Sequence, residues 1–286
     1  MLRLKKREVV YFYNPTFYSS IYALVFSRIK LLTIVVDQTE VYSLERNKVL
    51  NKMVEYTTAK CSTFLLAISN NIAKHFNSFG TKNITHFPIM VDIKRFSVEV
   101  NAKYQILGYI GSFAPKDGID LMLTALKESL ETLPGLKLRL IGDHCEFPEL
   151  NYMIDNLKLR DSVEVLGKVS YEQIPTYLKE CDSLIMNRNS SKFSETGYPI
   201  KLGEYFACKR PVLMSDGPGF SEDFTHLKEA IKYTADDAQA LADAIVFRYE
   251  NEQLAQEIAQ RGYDYALTHF DSKKQVKKLI KWIDEL

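Results

Sequence analysis

The chain has 286 residues, 46% of them hydrophobic, and its 37 Lys and Arg nearly balance 36 Asp and Glu for a formal net charge of +1. That length, against about 150 residues for a typical domain, predicts two domains with real cores, and the neutral balance excludes a global field that recruits nucleic acid or an acidic partner. Four widely spaced cysteines, Cys61, Cys145, Cys181 and Cys208, form no Cys-x-x-Cys and have no His at ligand spacing, which argues against zinc and a disulfide framework and for a reducing, cytoplasmic setting.

In chain order, the β-rich runs VVYF (residues 9–12), LLTIVV (31–36), TFLLAI (63–68) and ITHF (84–87) come first, with helical stretches between them. The most apolar N-terminal run, residues 19–36, is broken by Arg28 and Lys30 before it reaches the about 20 apolar residues of a membrane span, so neither a signal peptide nor a transmembrane helix is expected. FPIMVDIKRF (87–96) reads as an interdomain link, followed by a polar gap at 97–104. The pattern then restarts with QILGYI, LKLRLI, VEVL, SLIM and PVLMS, each followed by an amphipathic segment. Such alternation predicts an α/β protein with two parallel, Rossmann-like sheets covered by helices on both faces. The expected division is a first domain over 1–96, a second over 97–268, and a C-terminal helix over 269–286 packing back across both. Val276, Leu279 and Trp282 recur at three-residue spacing in that helix. About five strands complete the second sheet, whereas only about four precede it, so the first domain is expected to be incomplete, as if an N-terminal portion were missing.

The most informative stretch is SETGYPIKLGEYFACKRPVLMSDGPGFSED (194–223), a Gly-x-Pro turn before a short helix, then a strand and a glycine turn. Pro199 is expected at the first helical position, which leaves the N–H groups of Ile200 and Lys201 facing outward at the positive helix end, where a diphosphate can dock. Lys201 and Glu204 share one helix face and Leu202 and Phe206 another, so one face packs and the other is open to a ligand. A Lys and Glu three apart are a ligand clamp or an ordinary solvated ion pair. Three further features carry the same double reading: His144 after its Gly-Asp turn, the Gly-Pro-Gly of 217–219, and the five lysines between 273 and 281. These are either turn or surface residues, or a functional histidine, a phosphate cradle and a patch for anionic lipid. The aromatic cluster YFYNPTFYSSIY (11–22) stacks on sugar, lies in the core, or marks a face left uncovered.

Six strings in order, YIGSFAPKDGIDLMLTAL (109–126), LKLRLIGDH, DSVEVLGKVSYEQIPTYLKECDSLIMNRN (161–189), the GYPIKLGEY block, LLAISNNIAKHF (65–76) and FPIMVDIKRF, resemble retaining glycosyltransferases of the two-Rossmann-domain (GT-B) type, specifically family 4, also called group 1. The resemblance covers most of the chain. It implies a transferase of hexosyl type that moves a sugar from a nucleotide-diphosphate donor to a glycan or lipid-linked acceptor in surface polysaccharide or glycoconjugate synthesis. It implies no metal or other cofactor, and peripheral contact with the inner face of the membrane. It gives Glu204 the place of the second glutamate of the family's E-x7-E motif, which accepts the ribose hydroxyls. Gly197, Tyr198 and Pro199 match the turn whose amides meet diphosphate or sugar. Lys116 and Ser112 stand in the loop that usually presents an arginine and a lysine to the phosphates.

Several positions depart from the family pattern. Thr196 stands where the first motif glutamate belongs, with Glu195 one residue early; Ser112 replaces the arginine; Asp117 replaces the lysine, with Lys116 displaced by one, so phosphate binding is expected either to be weaker or to use Arg188 or Lys201 instead. Thr39 and Glu40 occupy the places of a His and an acidic residue, which leaves the catalytic base unassigned. Two other readings therefore stand beside the transferase: a nucleotide-sugar-binding remnant that relies on a partner chain to complete the first sheet, and a sugar-nucleotide epimerase of the same architecture.

Overall fold

The computed structural model describes residues 8–29, 32–44, 47–99, 102–143, 145, 147–217 and 219–285. The first seven residues, Lys30, His144 and Pro218, each of which entered the reading above, lie outside the described residues. The chain forms two compact units: one gathers the described residues up to Ile89, Ser191–Tyr198 and the stretch from Lys274 onward, and the other comprises Met90–Ser190 and Pro199–Lys273.

In the first unit, β1 (Glu8–Tyr13), β2 (Leu32–Gln38), β3 (Phe64–Ala67) and β4 (Ile84–His86) pair in that order, all parallel. The continuous burial of Thr33, Ile34, Val35 and Val36 is what a strand covered on both faces requires. The crossovers are α1 (Phe17–Phe26), α2 (Lys48–Cys61) and α3 (Asn70–Ser78). The start of α3 is set by Ser69, whose hydroxyl accepts the Ile72 N–H at 3.2 Å, and its Ile72 and Phe76, four apart, are buried. Two more helices belong here, α7 (Lys192–Thr196) and most of α11 (Ser272–Asp284), whose Trp282 meets Phe64 edge-on at 5.3 Å. Along α11 the buried residue is Gln275, while Val276 and Ile280 are exposed. The helical period of 3.6 residues carries Val276 off the face that the three-residue spacing predicted.

The second unit holds β5 (Lys103–Ile110), β6 (Lys137–Ile141), β7 (Val163–Gly167), β8 (Cys181–Met186), β9 (Val212–Asp216) and β10 (Ile231–Thr234) in the order β7-β6-β5-β8-β9-β10, all parallel. The sheet therefore has six strands where five were expected. The sixth, IKYT, has only four residues, two of them polar, so it carries little periodic signal. The helices are α4 (Ile119–Ser129), α5 (Leu150–Asn156), α6 (Ile174–Glu180), α8 (Ile200–Ala207), α9 (Ala238–Glu250) and α10 (Glu252–His269). Leu107, Leu138 and Leu140 from the sheet pack with Leu123 and Leu126 of α4 and Leu241 and Ile245 of α9 in one buried cluster. Strand order reverses between β5 and β8, and in open parallel sheets ligands bind at the carboxyl ends of the strands that flank such a reversal.

The unit boundaries fall at Ile89 and Lys273 rather than at residues 96 and 268. Backbone bonds give the reason: Val91 N–H donates to the Phe270 carbonyl at 2.8 Å, Ser272 N–H donates to Val91 at 2.9 Å, and Lys179 Nζ reaches the Phe96 carbonyl at 3.0 Å. The segment read as a linker is thus bonded into the second unit. Among the described residues no helix is long and apolar enough to cross a membrane.

Candidate functional site

At the reversal, β5 ends at Ile110 and turns at Gly111, and β8 runs into Asn187 and Arg188. The approach of the loops is close. Gly142 has φ +145° and a Cβ there would lie 1.8 Å from the Gly111 carbonyl oxygen; Gly118 has φ +60° and a Cβ there would lie 2.4 Å from Asn187 Nδ2. Buried Asn187 ties the parts together, with Nδ2 donating to the Asp117 carbonyl at 3.0 Å and Oδ1 accepting from Tyr233 Oη at 2.7 Å. The loop 112–118 is thereby held at the ends of both β8 and β10.

Lys201, on the first turn of α8, reaches into this corner. Its Nζ donates to Tyr109 Oη at 2.8 Å and to Asp117 Oδ1 at 3.0 Å, and lies 4.3 Å from the centroid of the Tyr109 ring. Arg188 Nη1 stands 3.7 Å from the same Asp117 oxygen, and Ser112 Oγ donates to the other at 3.4 Å. Asp117 is only 2% exposed. Burial works to raise its pKa, but Lys201 and Arg188 together hold the carboxyl below its ordinary value. Burial also drives the Lys201 ammonium down to about 8, against the pull of Asp117. Burial first, then the charge of Asp117, pushes the Tyr109 phenol far up, so it stays neutral and can accept from Lys201. Two cations around one carboxylate leave a surplus positive charge at the head of a helix, which suits an anion.

Glu204 lies one turn further along α8. Its carboxylate accepts no hydrogen bond among the described residues, although its side chain is only 15% exposed, and the nearest cation, Arg95 Nη1, is 3.9 Å away. Burial raises its pKa, opposed by Arg95 and Lys201. Arg95 is itself fixed, its guanidinium 3.3 Å from the Tyr171 ring centroid and bonded to the Tyr171 carbonyl. The other face of α8 is buried through Leu202, Tyr205 and Phe206, and Tyr205 Oη accepts the Ile110 N–H at 2.9 Å, which sets the helix against β5. The division into a packed and an open face agrees with the spacing. Pro199 sits one position earlier than predicted, with ψ 116°, as the cap residue rather than the first helical residue.

The structure thus brings together Ser112, Lys201 and Arg188 around Asp117, with Glu204 on the same helix. Lys116 joins them through its carbonyl, which accepts from Asn189 N–H at 3.0 Å, and its charge is among those that depress Lys201. Glu195, Thr196, Gly197 and Tyr198 belong to the other unit. There the Glu195 carbonyl accepts from Asn71 Nδ2 at 2.8 Å and the Thr196 carbonyl from Ser69 Oγ at 2.6 Å, while Thr196 Oγ1 donates to the Phe193 carbonyl at 3.0 Å. In the 217–219 turn, Gly217 N–H is taken up by Ser221 Oγ at 3.2 Å. The lysines at 273, 274, 277, 278 and 281 are exposed. Sequence reasoning missed Tyr109, Asn187 and Arg95, and read Asp117 as a loss. The available signal was an acidic residue immediately before a glycine in a loop otherwise expected to be cationic.

The family model for glycosyl transferases group 1 matches residues 90–265. Among curated relatives, a putative teichuronic acid biosynthesis glycosyltransferase of Bacillus subtilis is 28% identical over 76% of this chain and 55% of its own length. An uncharacterized glycosyltransferase of Methanocaldococcus jannaschii is 23% identical over 62% of this chain and 47% of its own. This chain therefore spans about half the length of those relatives. Among solved structures, Anabaena HepE in complex with UDP superposes with a TM-score of 0.82 at 18% identity, over 98% of this chain and 79% of that one, a likeness of fold that places both Rossmann-like sheets in the GT-B class. With a six-stranded unit built around α8 and a family match over most of that unit, the chain belongs to the glycosyl transferases group 1 family.

Proposed function

We propose that α8 and the loop 112–118 hold the nucleoside diphosphate of a sugar donor, and that the chain transfers a hexosyl group from it, with retention, to a glycan or lipid-linked acceptor in surface polysaccharide or glycoconjugate synthesis. The observation that carries this reading is Glu204, a largely buried carboxylate without a hydrogen-bond donor among the described residues, one helical turn from a surplus of positive charge. A carboxylate accepts two donors at once, as the cis-diol of a ribose offers. Lys201, Arg188 and Lys116, with the N–H groups of Ile200 and Lys201, then face the diphosphate. As the glycosidic bond to the leaving diphosphate breaks, these fixed cations and amides, rather than a metal, meet its growing charge. The relatives support the reading: one is a putative teichuronic acid biosynthesis glycosyltransferase, and the HepE structure contains UDP.

The test is calorimetric titration with UDP, GDP, ADP and their sugar conjugates, alongside Glu204→Ala. Saturable binding of one nucleotide, weakened at least about 10-fold in the variant, is expected from the loss of a charged acceptor. Unchanged affinity in the variant would falsify the assignment. Thr196 favours a second reading, a chain that binds nucleotide sugar without transferring it, because a hydroxyl bonded to Phe193 stands at the position of the family's first glutamate. Binding without turnover of the bound donor, across a panel of acceptors, selects that reading.

A further inference from the structure

Arg95 and Glu204 face each other with unused bonding capacity on both sides, yet they do not join. Arg95 Nη1 stands 3.9 Å from Glu204 Oε1, and neither that nitrogen nor the carboxylate makes a hydrogen bond among the described residues. Another buried arginine of this chain closes on its glutamates: Arg139 donates to Glu164 and to Glu180, each at 2.7 Å. The side chains of Arg95 and Glu204 are only 19% and 15% exposed, so little water competes for either group. Opposite charges so placed attract strongly and close unless something holds them apart.

What holds them apart is Tyr171. The Arg95 guanidinium lies 3.3 Å from the centroid of the Tyr171 ring, and its Nη2 donates to the Tyr171 carbonyl at 2.5 Å. Stacking on a ring face fixes the plane of a guanidinium as well as its position. Both ends of the contact are anchored. Tyr171 lies in the turn between β7 and α6, where Ser170 N–H donates to Gln173 Oε1 at 3.3 Å and Gln173 N–H donates to the Ser170 carbonyl at 3.0 Å. Arg95 belongs to the 3-10 turn Ile93–Phe96, which Asp92 caps by accepting the Lys94 N–H at 3.2 Å, while Ile93 and Phe96 are buried. Tyr171 is 58% exposed, so its ring supports Arg95 rather than the core.

An arginine held at 3.9 Å serves Glu204 differently from one bonded to it. At that distance its charge still favours the ionised carboxylate against the effect of burial, while the lone pairs of both oxygens stay open to donors from a ligand. Closed to bonding distance, the fork of the guanidinium occupies both oxygens at once. The other titratable groups near the carboxylate come from α8 itself. They are Lys201, whose charge acts in the same sense as Arg95, and Tyr205 and Cys208, both kept neutral by burial.

We propose that Tyr171 is a positioning residue for Glu204: its ring holds the Arg95 guanidinium back from the carboxylate, which stays free to accept hydroxyls from a ligand. The consequence for nucleotide binding rests on the proposed function, whereas the spacing of the pair is a property of the second unit alone.

The experiment makes two measurements on the full chain. NMR of the isotopically labelled Glu204 side-chain carboxyl, identified by its loss in Glu204→Gln, follows its titration in ligand-free protein, and calorimetry with UDP, GDP and ADP measures affinity. With Tyr171→Ala the pair is expected to close. The Glu204 pKa then falls, and affinity for the nucleotide that binds drops about 3- to 5-fold, the scale of one partly exposed ion pair that the ribose must displace. Arg95→Gln is expected to move the pKa the opposite way, because the opposing charge is lost. Adding Tyr171→Ala to Arg95→Gln is expected to change neither quantity further, and Tyr171→Phe, which restores a ring, is expected to restore both. The proposal is overturned if Tyr171→Ala leaves the Glu204 pKa in place, since lower affinity alone marks a merely structural role. It is also overturned if Tyr171→Ala weakens binding equally with and without Arg95, which means that the ring touches the nucleotide itself. If no nucleotide binds the native chain while the carboxyl shifts occur as expected, the proposed function fails and the spacing of the pair by Tyr171 stands.

Discussion

Lys201 Nζ and Asp117 Oδ1 stand 3.0 Å apart at the head of α8, and Arg188, 3.7 Å from the same oxygen, makes this a cluster with more cation than anion. The ammonium is the adjustable member. Burial has brought it to about 8 from an ordinary 10.5, so the surplus charge exists below that pH and fades above it. Affinity for the nucleotide that titration selects is expected to hold near pH 7 and to fall above about pH 8, whereas Lys201→Arg, whose guanidinium stays charged, is expected to flatten the fall. Because the folded state binds fewer protons than the unfolded chain between those two values, the contribution of Lys201 to stability rises with pH across that window. Calorimetry and denaturant titration in parallel check both signs.

Glu204 is best probed by pairing a protein change with a ligand change. If its carboxylate accepts the ribose hydroxyls, the 2′-deoxy form of the nucleotide that titration selects is expected to bind the native chain about 10-fold more weakly than the ribo form, consistent with one charge-assisted hydrogen bond of about 1.5 kcal/mol. Glu204→Ala is expected to bind the two nucleotides alike. Equal discrimination by both proteins removes Glu204 from the ribose.

The glycines of the corner separate stability from binding. Gly142→Ala places a Cβ 1.8 Å from the Gly111 backbone at φ +145° and is expected to prevent folding of the second unit, seen as loss of soluble protein. At Gly111 a Cβ would meet Tyr109 Oη at 2.1 Å and Lys201 Nζ at 2.9 Å, both side-chain ends. Gly111→Ala is expected to fold, to displace the Lys201 head, and to lose nucleotide affinity out of proportion to any change in melting temperature.

A charge remote from the corner supplies the control. Arg248, 1% exposed, donates to Ser183 Oγ and to Glu252, both at 2.5 Å, while neighbouring Tyr249 Oη donates to buried Asp182 at 2.8 Å. Arg248→Ala breaks a buried network and is expected to cost about 3–5 kcal/mol in urea denaturation. Nucleotide affinity of the folded fraction is expected to stay unchanged.

The parts of this molecule that sequence discloses are those whose partners are near in sequence or whose burial is continuous. The run Thr33 to Val36 announced a covered strand, and Leu202 and Phe206, four apart, announced the packed face of α8. The cluster at the corner was opaque for the opposite reason. Asp117 and Lys201 are 84 positions apart, and they meet only because Gly118 takes a left-handed turn and Asn187 pins the loop behind it. Arg95 was hidden in a segment read as linker, since its Tyr171 partner lies 76 residues on. The short strand Ile231–Thr234 lacked the length to show a period.

The membership of the first unit has a consequence in time. Its four described strands are laid down by His86, yet Trp282, the residue that lies against Phe64, follows only after the whole of the second unit. At about 5–20 residues per second, the intervening synthesis takes roughly 10–40 s. Through that interval Phe64 lacks its aromatic neighbour while the whole of the second unit is translated and can close. Of the two units, the one whose strands are made earlier therefore gains its last aromatic contact later, after the other has had time to fold.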